Sequence, residues 1–136
     1  LSNVNLVNTT FKEVKFSHCK LMGLAFHTCN SFLLDFSFYD CNLNFSIFTE
    51  LKLIGQVFKA CNLSEADFSD CDLSNSKFVD CNLERTIFSR TNLQKADFST
   101  ATNFNIDPEN NTIKSAVFSR DTLEGLLHKY KLKILN

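Results

Sequence analysis

The stretch that decides the fold runs from Cys61 to Thr100 and reads, in groups of five, CNLSE ADFSD CDLSN SKFVD CNLER TIFSR TNLQK ADFST. The third residue of every group is Leu or Phe, from Leu63 to Phe98. The residue two places earlier is always Cys, Ala, Ser or Thr. A period of five fits neither the turn of an α-helix nor the alternation of a β-strand, so it indicates a repeat architecture.

These two regular positions predict the path of the chain. In an extended segment, the large residue and the small residue two places before it point to the same side, while their neighbours point outward. One inward pair in every five residues requires the chain to change direction after each group, always in the same sense. The sequence therefore predicts a coil with several short sides around a continuous core.

The pattern of a small residue, Asn or Asp, Leu or Phe, and then a polar residue resembles that of the pentapeptide-repeat proteins. The resemblance implies an all-β solenoid, a right-handed quadrilateral parallel β-helix with 20 residues in each coil. Residues 20 apart are compatible with such stacking, since Leu63 would lie under Leu83 and Phe68 under Phe88. Outward pairs at the same spacing carry opposite charges: Lys52/Asp72, Glu65/Arg85, Asp70/Arg90 and Lys77/Asp97.

The repeat extends over residues 1–118 and already runs at Leu1. We expect a register slip of two residues near 29–30, after which the frame resumes at about Leu33, and an irregular last coil over 101–118. An uncovered first coil would expose apolar surface and strand edges. We therefore expect either that the chain is a fragment or that another copy covers this end.

Two surfaces are candidate partner sites. Phe32, Leu34 and, one coil later, Ile54 are predicted to point outward and to form an exposed apolar patch, a feature typical of partner sites. The alternative is a different frame between residues 29 and 39, with these side chains buried. The second surface is an acidic corner composed of Glu65, Asp67, Asp70 and Asp72.

Residues 119–136 change period. The segment from Asp121 to Glu124 has the form of a capping box, and an α-helix followed by a short strand is predicted to close the open end of the core. The Qnr-type quinolone-resistance members of the family have a similar ending, which implies dimerisation; a cap alone and a cap that also dimerises both remain open. The residues of this segment are Leu123, Leu126, Leu127 and Tyr130 at helical spacing, then Leu132 and Ile134 in alternation.

The six cysteines are predicted to be structural. The chain has no CxxC pair. Allowing for the slip, Cys19, Cys41, Cys61 and Cys81 fall on one inward column, where Cys is ordinary core filling. Stacked cysteines lie within disulfide reach by Cα distance, but their parallel side chains make poor bridges. Free thiols in a reducing cytoplasm are therefore favoured over a metal site or disulfides.

No pattern in the sequence indicates catalysis. His18, His27 and His128 are scattered without metal-ligand spacing, and three Gly in the whole chain argue against a phosphate-binding loop. No nucleophile and base stand at a recognisable spacing. We predict a protein that is not an enzyme and has neither a cofactor nor a bound metal.

Two classes of function remain, both based on protein binding. The resemblance to the Qnr type implies a rod that binds DNA gyrase or topoisomerase IV and antagonises quinolones, partly through a DNA-like surface; the alternative is a scaffold for another protein. About six coils would make a rod of about 28 Å, and duplex DNA of that length carries about 16 negative charges. The net charge of −1 disfavours simple mimicry of DNA, and also direct binding to nucleic acid or membranes.

Overall fold

The structure, a computed structural model, describes residues 4–32 and 34–136 of the 136-residue chain. Leu1 and Leu33, which the repeat frame places inside, lie outside the described residues. The strands form a single parallel sheet in the order β1-β2-β3-β4. Successive strands in sequence are therefore neighbours in space, as in a solenoid. They are β1 (Val14–Ser17), β2 (Phe36–Tyr39), β3 (Val57–Lys59) and β4 (Lys77–Val79).

Single-residue parallel bridges continue this stacking on three further sides of each coil. Beyond the slip the partners are 20 residues apart, and the bridge from Lys77 to Asp97 and on to Val117 extends the sheet side in the same register. The predicted 20-residue stacking is confirmed. We name the other sides by their ladders: side A is Asn42, Asn62, Asn82 and Thr102; side B is Ile47, Asp67 and Ile87; side C is Lys52, Asp72, Asn92 and Thr112.

Phenylalanine and leucine alternate around the core. On side B, Phe48 and Phe68 stack with ring centroids 4.9 Å apart and an interplanar angle of 7°. The Phe78 ring on the sheet side meets the Phe68 ring edge-on, at 83°. Leu fills the other two sides, so two sides carry Leu and two carry Phe. The Leu residues with no exposed surface are Leu21, Leu43, Leu53, Leu63, Leu73, Leu83 and Leu93.

The corners between sides explain the polar residues of the repeat. The residue two places after the large one has a positive φ, as at Glu65 (59°) and Asn75 (60°). At the corner after Leu63, its carbonyl accepts a hydrogen bond from the N–H of Ala66 at 3.0 Å. The Oδ1 of Asn62 accepts a second one from Ser64 N–H at 3.1 Å. Asn or Asp before the large residue therefore holds each turn through its side chain.

The register slip lies slightly later than predicted. Thr10 bridges Asn30 at the regular spacing of 20 residues, but Val14 pairs with Phe36 at a spacing of 22. Two extra residues are therefore accommodated between Asn30 and Phe36. The regular spacing returns where Phe38 pairs with Phe58.

The last coil keeps the register and changes its core residues. Phe118 stacks on Phe98 with centroids 5.3 Å apart, as the 20-residue spacing predicts. Asn103 stands 20 residues after Leu83, at an inward position of the register, but it turns outward with a φ of 63°. Phe104 and Ile106, which are 2% and 1% exposed, fill the core there instead. The repeat frame did not identify these two as core residues.

The tail differs from its prediction in three respects. It forms two 3₁₀-helices, Arg120–Leu126 and His128–Tyr130, rather than an α-helix. The N-cap is Ser119, whose hydroxyl accepts from Asp121 N–H at 3.4 Å, and not Asp121 itself. Within the described chain, no strand forms at Leu132 and Ile134. A third short 3₁₀-helix spans Phe26–Thr28.

A contact with the last coil accounts for the tail's geometry. Gly125 is buried against Phe104, and a Cβ built on it would lie 2.3 Å from the Phe104 ring. The N–H of Ile106 donates to the carbonyl of Gly125 at 2.9 Å. The closing bonds on either side span three residues, from Thr122 N–H to Ser119 O and from Leu127 N–H to Glu124 O, which is the 3₁₀ pattern.

Candidate interaction surface

The patch at the register slip is partly as predicted. Phe32 is 73% exposed and Ile54 55% exposed. Leu34 does not point outward as predicted: it is half-buried and packs against the core. The N–H of Asp35 bonds to the carbonyl of Phe11 at 2.9 Å, so the chain already lies against the coil below and brings Leu34 inward before β2 begins. Two of the three predicted side chains are therefore exposed.

The acidic corner is largely neutralised by two arginines. Arg90 donates from Nε to Asp70 Oδ1 at 2.8 Å and from Nη2 to Asp70 Oδ2 at 3.1 Å. Arg85 Nε lies 3.1 Å from Glu65 Oε1. The hydrogen bonds and charge of Arg90 lower the pKa of Asp70 below its ordinary value. Both of these predicted charge pairs exist, so two of the four acidic side chains of the corner are paired with arginine.

The other two acidic residues serve their own turns. Asp67 Oδ1 accepts from Ser69 N–H at 2.8 Å, and Asp72 Oδ1 from Ser74 N–H at 3.0 Å. These bonds fix the corners in the same way as those of the Asn residues. The carboxylates keep further lone pairs that face outward, so they remain available to a partner.

An open depression of about 610 Å³ extends along side C. It brings Asp70 and Asp72 together, whereas Asp67 lies on side B. The depression ends at Glu109 in the last coil. Its charged lining residues are Glu50, Lys52, Asp70, Asp72, Arg90 and Glu109.

The tail is tied to the last coil by a small charged cluster. Lys129 Nζ lies 3.2 Å from Asp107 Oδ1 and 3.1 Å from Glu109 Oε1, and the Tyr130 hydroxyl donates to Glu109. These bonds lower the pKa of Glu109, first through Tyr130 and then through Lys129. The tail therefore borders the same depression that contains Asp70 and Asp72.

The predicted tail residues divide into two groups. Leu126 and Leu127 are half-buried, and Leu126 packs against the core. The others present apolar surface to solvent. They are Leu123, Tyr130, Leu132 and Ile134, which are 42%, 48%, 57% and 50% exposed.

Phe45 is an exposed residue that the repeat frame did not single out. Its side chain is 57% exposed at a corner with a φ of 62°. In the next two coils the same corner carries Glu65 and Arg85. An aromatic residue at a corner position that is charged in these coils is the sequence signal that could have identified Phe45. Met22, 41% exposed, lies one coil below Asn44. The N–H of Gly23, the next residue after Met22, donates to the Asn44 carbonyl at 2.8 Å.

Residues 4–32 and 34–136 show no cluster of three His, Cys, Asp or Glu side chains that could hold a metal ion. All six cysteines are unpaired.

In the buried column the Cys81 thiol donates to Phe58 O at 3.2 Å, and hydrogen bonding with Cys61, followed by burial, raises its pKa. Thr91 makes the equivalent cross-coil bond to Phe68 O at 2.9 Å. At these two positions the small residue therefore supplies a hydrogen-bond donor for a carbonyl of the coil below. Over the same described ranges, no helix has the length and hydropathy needed to cross a membrane.

The four ladders and the five-residue corners agree with a comparison to known families. The family model described as pentapeptide repeat region matches residues 25–98 and 56–127, which together cover more than half of the chain. This chain belongs to the pentapeptide-repeat family. Its fold is accordingly a β-helix solenoid.

Solved pentapeptide-repeat structures resemble this chain in fold. HetL from the cyanobacterium Nostoc sp. strain PCC 7120, involved in heterocyst differentiation regulation, has a TM-score of 0.56 and 19% identity, with 88% of this chain and 58% of HetL covered. Trypsin-treated QnrB1, a plasmid-mediated fluoroquinolone resistance protein, has a TM-score of 0.49 and 16% identity, with 95% and 62% covered. The chain thus spans less than two thirds of the length of either. No curated protein sequence matches it.

Proposed function

We propose that this pentapeptide-repeat protein is a non-enzymatic rod that binds another protein through side C and through the exposed residues at the register slip, Phe32 and Ile54, which we call the slip patch. The observation that carries the proposal is the exposure of Phe32 (73%) and Ile54 (55%), whereas the large side chains of the repeat columns, such as Phe58, Phe68 and Leu63, have no exposed surface. Exposed apolar side chains beside polar surface are typical of protein-binding sites. Proteins of this family are in general structural or interaction modules.

The proposed domain organisation follows the contacts of the last coil. Residues 1–118 form the solenoid, of about six right-handed coils at a spacing of about 4.8 Å, and residues 119–136 form its cap. Support comes from Gly125, which is buried against Phe104, and from Leu126, which packs on the core. A polar cover over the last apolar layer is what solenoids need at an open end.

DNA gyrase or topoisomerase IV is the best-named candidate partner, with protection against quinolones as the outcome. This part of the proposal rests on the resemblance of the tail sequence, at Leu126, Leu127, Leu132 and Ile134, to the Qnr type; the tail itself folds as 3₁₀-helices without the short strand. The ion pairs of Glu65 and Asp70 argue against contact by DNA-like charge. The apolar side chains Phe32 and Ile54 would therefore make the contact. We place the protein in the cytoplasm because its six cysteines are free.

A scaffold for a different protein is the second candidate. The exposed Phe45 and its neighbour Met22 favour it, because they lie at a different corner from the slip patch and a rod with two apolar contact points suits bridging. On this alternative, topoisomerases are not involved.

The test is gyrase supercoiling with a fluoroquinolone, titrating in the purified protein. Restored supercoiling is expected for wild type and for Val117→Asp, a control at a comparably exposed site (48%) on the sheet side. The double variant Phe32→Asp, Ile54→Asp is expected to fold and to lose protection. If folded wild type has no effect at any concentration, the topoisomerase proposal is wrong and the scaffold proposal gains support.

We propose further that the tail forms a homodimer. Leu132 and Ile134 are exposed and close to Tyr130, so they can meet a second copy. Leu126 packs on its own core, so its substitution would not separate dimerisation from folding. Leu132→Asp with Ile134→Asp is expected to give folded monomer by light scattering, with Lys133→Asp as the control. A wild-type protein of monomer mass would disprove the dimer.

A further inference from the structure

Two thiols line a depression that the proposed function does not use. It lies on side A near β1 and has a volume of about 310 Å³. The residues that form it come from three successive coils, the third contributing Ala60 and Asn62. The lining includes His18, Cys19, Lys20, Asp40, Cys41 and Asn42.

Cys19 and Cys41 occupy the same position in their coils. The residues that follow them, Lys20 and Asn42, form a parallel bridge, and Asn42 N–H donates to Cys19 O at 2.9 Å. Strands paired in this way lie about 4.8 Å apart. That spacing puts the two Cα atoms within the range of about 4.4–6.8 Å that a disulfide spans.

The two thiols differ in access to solvent. Cys19 is half-buried, while the other five cysteines of the described chain, Cys41 among them, are buried. Burial raises the pKa of Cys41, and the nearby thiols of Cys61 and Cys19 raise it further. Burial also raises the pKa of Cys71 to about 12. Because Cys19 is the most accessible of the six thiols, an oxidant in water reaches it before the buried ones.

A hydrogen bond between exposed side chains at this depression links the two coils. His18 Nδ1 lies 2.6 Å from Asp40 Oδ2, and His18 and Asp40 directly precede Cys19 and Cys41. The Cys19 thiol donates to Ser17 O at 3.3 Å. The Cys41 thiol donates to Tyr39 O at 3.3 Å and, in the coil below, to Phe16 O at 3.5 Å. These are long bonds to backbone carbonyls, which the Cys41 thiol gives up when it attacks the Cys19 sulfur.

We propose that Cys19 is a peroxide-oxidation site resolved by Cys41. Hydrogen peroxide transfers one oxygen to the Cys19 sulfur, which gives a sulfenic acid and releases water. The Cys41 thiol then attacks this sulfur, the S–O bond breaks as the S–S bond forms, and a second water leaves with the thiol proton. Cys19 and Cys41 are oxidised to a disulfide while one peroxide is reduced to two waters.

The geometry makes this bridge a reversible one. Side chains at matching positions of stacked coils run parallel, whereas a disulfide needs its Cβ atoms closer than the strand spacing, so the bond is strained. Strained or exposed disulfides have higher reduction potentials than structural ones and are the readily reduced, regulatory kind. The Cys19–Cys41 bridge therefore opens again under a thiol reductant.

The experiment treats the reduced full-length chain with hydrogen peroxide and maps the product by mass spectrometry. The expected product is a monomer lighter by two hydrogen atoms, with the tryptic peptide of residues 16–20 linked to that of residues 21–52; dithiothreitol restores the starting mass. Residues 21–52 contain both Cys29 and Cys41. The Cys29→Ala variant therefore serves as the matched control, and it is expected to form the same link.

Two substitutions separate the steps. Cys19→Ser is expected to lose the bridge, and Cys41→Ala to accumulate a sulfenic acid at Cys19 that dimedone captures. A link that disappears in Cys29→Ala, a covalent dimer through Cys19, or wild-type protein that keeps all six thiols in excess peroxide would each overturn the proposal. The wild-type map decides the question even if one variant fails to fold.

Discussion

Arg90 holds both carboxylate oxygens of Asp70, one coil below it, through Nε at 2.8 Å and Nη2 at 3.1 Å. Two parallel bonds of this kind orient the guanidinium as well as neutralise it. Both side chains are well exposed, and exposed ion pairs contribute little to stability. The consequence is mainly electrostatic, because the pair removes charge from the corner nearest the side C depression.

Substitution of Arg90→Gln should raise the pKa of Asp70 towards its ordinary value of 3.8. The folded-state pKa is lowered, so the pair's contribution to stability is present above the unfolded pKa and is lost as the pH falls through the folded pKa. The variant should therefore lose less stability than wild type as the pH falls below about 4. An NMR titration of the Asp70 carboxyl measures the shift.

The control for this titration is Arg85→Gln, which breaks the pair with Glu65. It should leave the Asp70 titration where wild type has it. An unchanged Asp70 pKa in Arg90→Gln would mean that the two bonds do not persist in solution.

Phe68→Ala should destabilise the protein by about 3–5 kcal/mol. The Phe68 ring stacks between Phe48 at 4.9 Å and Phe88 at 5.6 Å, so its removal leaves a cavity in the middle of a column. Ile87→Ala, at a side chain 46% exposed, should change stability by about 0.5 kcal/mol or less. Urea unfolding measures both, and equal losses would contradict the column as the source of stability.

Thr91→Val should cost about 1–3 kcal/mol even though the side chain keeps its shape. The Thr91 hydroxyl donates to Phe68 O at 2.9 Å in the core, and valine leaves that carbonyl without this donor. Thr91→Ser should restore most of the loss. A variant with valine that unfolds at the same urea concentration as wild type would show that the cross-coil bond is not needed.

Gly125→Ala should detach the tail. A Cβ at this position would lie 2.3 Å from the Phe104 ring and 2.7 Å from its carbonyl oxygen, and overpacking of this kind costs about 1–3 kcal/mol. Trypsin should then cut after Lys129 and Lys131 faster than in wild type. Gly55→Ala is the control: it meets no atom within 4 Å and only the strain of a φ of 71°, so it should leave the tail protected.

The stacking of Phe68 under Phe88 could be predicted from the sequence because identical side chains repeat at one spacing. The same count fails at Leu34, because an insertion has no repeat against which its frame can be read. The bond from Asp35 N–H to Phe11 O decides that frame, and it joins residues 24 positions apart. Non-local contacts of this kind leave no mark in a local pattern.

The tail and the candidate surface illustrate the same limit. The residues from Asp121 to Glu124 match the sequence pattern at the start of an α-helix. The 3₁₀ turns that form instead bring Gly125 against Phe104, a contact that the local sequence does not show. The pairing of Glu65 with Arg85 was predictable from the 20-residue spacing. The exposure of Phe45 was not predicted, because the repeat frame expects large residues only at the inward positions and Phe45 stands at a corner.

The two extra residues between Asn30 and Phe36 behave like a dislocation in a crystal. The coil gains two residues between Asn30 and Phe36, and the spacing between stacked residues is 20 again where Phe38 pairs with Phe58. The added residues make the partners 22 apart on the sheet side and also at Lys20/Asn42 and Ala25/Ile47, and the coils before and after them still stack. That makes the loop between β1 and β2 the place where this rod can accept foreign sequence and still stack.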